Sequence, residues 1–191
     1  MPGLQLYIRE ERPSLLETAA REGTVDCILT PQPVRESRLV SEDLCLERIY
    51  LGLPQRHALA SRPVLSVSDL QGERMLTLGR GHRLYDQVQA LCVASGAVMS
   101  EDYEGTSLDA LRQMISIGMG LSLFPAAYVA SEFARERQVA LKELSGWPMQ
   151  RQIVLAWREG SPRQAHFQRL AKLAREGIAR SGFEGVSLPQ A

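Results

Sequence analysis

The chain lacks any surplus of charge: Lys and Arg number 22, as do Asp and Glu, for a formal net charge of zero. A protein that grips a phosphate backbone unaided carries a basic excess or patch, so this chain is not expected to bind DNA by itself. A run of roughly 18 apolar residues, the signature of a membrane-crossing helix, is also missing. The opening Met1-Pro2-Gly3-Leu4-Gln5-Leu6-Tyr7-Ile8-Arg9-Glu10 has no basic start, apolar core or cleavage signature of an export signal, so a cytoplasmic location is expected. Cysteine is scarce. Cys27, Cys45 and Cys92 are too few and too scattered for a disulfide framework, and no CxxC or His/Cys cluster suggests a metal. Nucleophile elbow, phosphate loop and HExxH are all missing, and Gly79-Arg80-Gly81 is too short for a dinucleotide fingerprint. The expectation is a protein that is not an enzyme and needs no cofactor.

What is present is an ordinary globular balance, 45% hydrophobic and 23% charged, enough chain for one large domain or two small lobes. Leu4, Leu6 and Ile8 alternate with polar neighbours and predict a strand. Pro13 suits the first turn of a helix that Gly23 ends. The apolar run Val25–Leu29 predicts a buried parallel strand, completing a β-α-β unit. One or two extended segments follow over 39–53, then a strand at Met75–Leu78 and a helix from Arg83 to Ala94 stopped by Ser95-Gly96. Ser100–Glu104 reads as a strand, and Thr106-Ser107 as the cap of the next helix. A strand at Leu121–Phe124, a helix from Pro125 through Arg137, strands at 139–144 and 152–157, and a final helix opened by Ser161-Pro162 complete the pattern, with a frayed tail after Ser181. Strands and helices alternate, so the class is α/β with largely parallel sheets. The helix-free stretches near 44–53 and 150–158 suit two crossings between lobes. One lobe is expected over 1–46 plus 155–191 and the other over 51–150.

Three stretches carry a resemblance that spans nearly the whole chain. They are Gly23-Thr24-Val25-Asp26-Cys27-Ile28-Leu29; Gly81-His82-Arg83-Leu84-Tyr85-Asp86-Gln87 with Cys92; and Thr106-Ser107-Leu108-Asp109-Ala110-Leu111-Arg112-Gln113-Met114, running on to Gly118-Met119-Gly120-Leu121-Ser122-Leu123-Phe124-Pro125. On these residues the chain resembles the effector-binding domain of LysR-type transcriptional regulators. The second stretch places it nearest the OxyR-like branch. The resemblance implies a two-lobed, type 2 periplasmic-binding-protein-like α/β fold that forms homodimers or tetramers. An effector in the cleft changes the dimer, and a separate helix-turn-helix, which this chain does not contain, reads DNA. It also implies a first strand and helix before Pro2, so the domain is expected to be truncated there.

By the same resemblance, a peroxide-reactive cysteine belongs at the start of the helix after Gly-His. Arg83 stands there instead. Cys92 matches the second cysteine of that branch, and Pro13 replaces a threonine near the peroxide site. Peroxide chemistry needs a thiolate, which arginine cannot supply. A guanidinium at a helix start, where free N–H groups and a partial positive charge already favour anions, instead suits a small organic anion such as a carboxylate. The expected effector-contacting residues are therefore Ser14, Gly81, His82, Arg83, Thr106 and Ser107. The alternatives are a redox regulator working through Cys92 or Cys45, and a solute-binding protein of similar fold. Read without the resemblance, Arg83 is a solvated helix-terminal charge, His82 a loop-holding residue, Thr106 and Ser107 N-caps, and Cys92 a small buried hydrophobe.

Overall fold

The computed structural model describes residues 5–105 and 107–189. Residues 5–12 form neither helix nor strand, and Leu6, Tyr7 and Ile8 are exposed. The strand expected over 4–8 is thus absent from its described part, and Leu4 lies outside the described residues. Alternation alone does not make a strand: the backbone N–H and C=O groups need a neighbour, and none of the described strands pairs with this segment.

Helix α1 (Pro13–Glu22) begins at a proline whose missing N–H costs nothing in the first turn. It ends at Gly23, which is left-handed at φ 77°, a conformation that other residues adopt only with strain. Strand β1 (Cys27–Pro31) follows, then β2 (Leu39–Pro54), a single 16-residue strand where one or two segments were expected. Next come β3 (Leu65–Ser66), β4 (Arg74–Met75), α2 (Arg83–Ser95), β5 (Val98–Met99) and α3 (Leu108–Ser116). They are followed by β6 (Ser122–Pro125), α4 (Ala126–Glu132), β7 (Val139–Lys142), β8 (Leu144–Ser145), β9 (Gln150–Arg158), α5 (Gln164–Ser181) and β10 (Val186–Ser187). The strand expected at 100–104 is displaced to β5, and α4 stops short of Arg137.

Strand β2 belongs to two sheets. Its first part, Leu39 to Arg48, pairs antiparallel with β9 from Arg158 to Gln150. Its last part, Ile49 to Pro54, pairs antiparallel with β6 and β7. On the far side of β9 lies β1, also antiparallel, which corrects the expectation of a parallel strand there. Among the described strands only the short pairs β3–β8 and β4–β5 run parallel. The tail expected to fray instead returns as β10 and pairs with Glu47 and Leu46.

The result is a mixed α/β fold of two lobes, with β2 passing from one sheet to the other. In the first lobe, alternate residues of β9 face opposite ways. Leu155 and Trp157 pack with Leu44, Phe167 and Ala171 beneath α5, while Ala156 packs with Ile28 and Ala20 beneath α1. The second lobe is built around a larger core that includes Ile49, Leu51, Leu53, Leu76, Val88, Leu91, Leu111, Ile115 and Phe124. Where the sheets meet, buried Glu47 accepts a hydrogen bond from Ala127 N at 2.9 Å and pairs with Arg151 at 2.7 Å. One carboxylate thereby ties β2 to β9 and to the start of α4.

Candidate functional site

A cavity of about 260 Å³ opens where α1 of the first lobe meets the start of α2 in the second. It is lined by Ser14, Glu17, Thr18, Arg35, Glu36, Gly81, Arg83 and Asp86. Three of the expected effector-contacting residues, Ser14, Gly81 and Arg83, meet here although they come from distant parts of the chain.

Each is placed by local backbone chemistry. Ser14 lies in the first turn of α1, and its carbonyl accepts the Thr18 hydroxyl at 3.1 Å. Gly81 has φ +95°, and a Cβ there would lie 3.5 Å from both Ser14 Oγ and Arg12 Cδ. The glycine is required by the left-handed turn, since a Cβ there would meet Ser14 and Arg12 only at ordinary contact distance. Arg83 is the first residue of α2, and its side chain is only 10% exposed.

The Arg83 guanidinium does not stand alone. Its Nη2 donates to Glu17 Oε1 at 2.9 Å and also to the Pro33 carbonyl. Glu17 is itself buried in α1, and its other oxygen accepts the backbone N–H groups of Arg35 at 2.9 Å and Glu36 at 3.0 Å. A second ion pair crosses in the opposite sense: Arg35 of the first lobe reaches Asp86 of α2 at 2.9 Å. Asp86 also lies 3.8 Å from Arg83 Nη1. Arg83 Nε, by contrast, is buried without any hydrogen-bond partner in the protein, and so is Gln87 Oε1 one turn along α2. Orphaned buried polar atoms are uncommon and point either to an unfilled partner position or to strain.

The remaining expected residues sit elsewhere. His82 is the N-cap residue of α2 but makes no side-chain cap bond. Burial, with the nearby Arg12 charge second, lowers its pKa, so it adds no positive charge to the cavity at neutral pH. Ser107 caps α3 by accepting Ala110 N at 3.2 Å and does not line the cavity. Thr106 lies outside the described residues. All three cysteines are free. Cys45, named above as a redox alternative, is buried: a bulge between Asp43 and Cys45 turns both Leu44 and Cys45 into the interior. Burial raises the thiol pKa of Cys92, of Cys45 with Glu47 assisting, and of Cys27 with Asp26 assisting.

Sequence reasoning missed Glu17, Thr18, Arg35, Glu36 and Asp86. Two carried a weak signal. Glu17 falls three residues after Ser14 and Asp86 three after Arg83, one helical turn in each case. A second cavity of about 370 Å³, lined by Pro54, His57, Glu73, Arg74 and residues 118–121, contains none of the expected site residues.

Comparison with known proteins gives a consistent answer. The family model described as LysR substrate binding domain matches residues 1–179. The hydrogen peroxide-inducible genes activator of Pectobacterium carotovorum is 33% identical over 175 residues, covering 92% of this chain and 58% of that protein. The DNA-binding transcriptional dual regulator OxyR of Escherichia coli K12 is 32% identical over 174 residues, covering 91% of this chain and 57% of its own length. The chain thus spans rather more than half the length of the curated relatives it matches. Among solved structures, the oxidized form of OxyR superposes with a TM-score of 0.82 at 29% identity, covering 95% of this chain and 85% of that one. The reduced OxyR regulatory domain from Pseudomonas aeruginosa gives 0.77 at 27% identity, covering 92% and 84%.

Proposed function

The chain belongs to the LysR substrate binding domain family, and from that premise we propose that it is the effector-sensing part of a DNA-binding transcriptional regulator. The effector is a small molecule bearing a carboxylate, held between the lobes. The lobes comprise residues 1–46 with 155–191 and residues 51–150. Occupation of the cleft alters their relative setting and, through it, the geometry of a homodimer or tetramer. DNA contact comes from a separate segment of the regulator.

The observation that carries the effector class is the half-used edge of Arg83. A carboxylate fits the Nε–Nη2 edge of a guanidinium with two parallel hydrogen bonds. Glu17 and the Pro33 carbonyl share Nη2, and Nε of this cavity-lining arginine is left buried without a partner. Ser14 and the start of α2 add polar groups, and the volume suits a small metabolite. The redox alternative has less support, because no thiol stands at the start of α2 and burial holds Cys92 protonated. Isothermal titration of the chain with a panel of small carboxylates tests the proposal. Binding that weakens about tenfold or more in Arg83→Ala is expected. No binding across the panel, or equal affinity in the variant, overturns it.

A further inference from the structure

Charge matching around the cavity narrows the ligand further than a carboxylate. Two guanidinium groups, Arg35 and Arg83, face three carboxylates, Glu17, Glu36 and Asp86. Arg21 reaches Glu36 at 3.2 Å from outside the lining. Each carboxylate therefore already has a guanidinium, and each guanidinium a carboxylate: Glu17 with Arg83, Asp86 with Arg35, Glu36 with Arg21. His82 brings no further cation at neutral pH.

A simple anion entering such a site must displace a carboxylate from its arginine. Displacing Glu17 from Arg83 leaves a side chain that is only 6% exposed without its counter-charge. Breaking one partner out of a buried pair is far more costly than exchanging it. A molecule carrying both signs avoids that cost: its carboxylate takes the guanidinium edge while its cationic group faces the carboxylate released. Within the lining, Arg83 Nε remains a donor without an acceptor, so the carboxylate end has a position to take.

We infer that the cleft selects a zwitterion of amino-acid type, a carboxylate and an ammonium on one small skeleton, over a simple organic anion. This rests on the carboxylate reading above and deepens it. The carboxylate is placed by Arg83, and the ammonium by Glu17 and Asp86.

The test titrates the 191-residue chain with matched sets. L-Alanine is compared with propionate and ethylamine, L-leucine with 4-methylpentanoate and isopentylamine, and L-glutamate with glutarate. The expected result is that at least one amino acid binds about tenfold or more tighter than its deaminated and decarboxylated partners, the worth of one charge-assisted hydrogen bond. In Asp86→Asn, whose native side chain is 46% exposed and tolerant of change, the preference narrows because the simple acid gains affinity. Glu17→Gln is expected to act in the same direction, and circular dichroism checks that both variants fold. A merely structural role for these carboxylates does not predict a gain for the anion. If a simple acid binds as well as or better than its amino acid, the zwitterion inference is overturned and the carboxylate site stands. If an amine alone binds as well, the inference is likewise overturned. If no member of any set binds, the carboxylate site falls and the inference falls with it.

Discussion

Glu17 of the first lobe and Arg83 of the second meet at 2.9 Å, both nearly excluded from solvent, and Glu17 is held in place by the backbone N–H groups of Arg35 and Glu36. The pair joins α1 to α2 across the cleft. Arg83→Met leaves a buried carboxylate uncompensated and is expected to destabilise the chain by about 3–5 kcal/mol. Adding Glu17→Gln to Arg83→Met removes the stranded charge and should recover a large part of that loss, because replacing both partners costs far less than removing one. Urea unfolding of the two single variants and the double variant measures the coupling. Losses that simply add would show that the two side chains do not support each other. The neighbouring pair Arg35–Asp86 is 65% and 46% exposed and should contribute no more than about 1 kcal/mol, falling with salt.

The pH response of His82 follows from its surroundings. Burial first, and the Arg12 charge second, lower its pKa in the folded chain, with Glu11 opposing. The unfolded chain titrates near the ordinary histidine value of about 6.5. Between that value and the lower folded one, the unfolded state binds more protons. Stability therefore falls as the pH drops below about 6.5 and levels off once the folded imidazole is also protonated. Replacing His82 with Gln should reduce the loss of urea stability between about pH 7 and pH 5 relative to the parent. An unchanged slope in the variant would remove His82 from the list of groups that matter.

Much of this arrangement is written locally and could be read without coordinates. Pro13 and Gly23 bound α1, and His82 to Gly96 bound α2, because a proline at a first turn and a left-handed glycine at a last one act within a few residues. Local signals mark the helix starts at Ser14 and Arg83 and the turn at Gly81, whereas their convergence on one cleft is implied only by the resemblance to LysR-type domains. The direction of the strands could not be read, since a short apolar run such as Cys27–Pro31 buries equally well parallel or antiparallel. Nor could the partner of Arg83, Glu17, which lies 66 residues away in a different helix. The burial of Cys45 depends on one bulge that shifts the inward face of β2 by a residue, and the pairing of β10 depends on contacts far along the chain.

The cysteines decide between effector and redox sensing in a way that chemistry can measure. The thiolate, not the thiol, is the nucleophile that attacks peroxides and alkylating reagents. Burial raises the pKa of Cys92, and burial with Glu47 raises that of Cys45 against the opposing charge of Arg151, so at neutral pH each carries less thiolate than a free cysteine. Both should be modified by iodoacetamide several-fold more slowly in the folded chain than in urea, with the folded rate climbing only above the ordinary thiol range of about 8.5. Cys27, less deeply buried, should react first of the three. Mass spectrometry of each site after graded exposure to hydrogen peroxide extends the same test. Sulfenic acid forming on Cys92 faster than on a small free thiol would contradict the protonated, shielded state and favour a redox role. Slow oxidation at all three sites would count against a redox role for these thiols, because a sensor cysteine must outpace an ordinary free thiol.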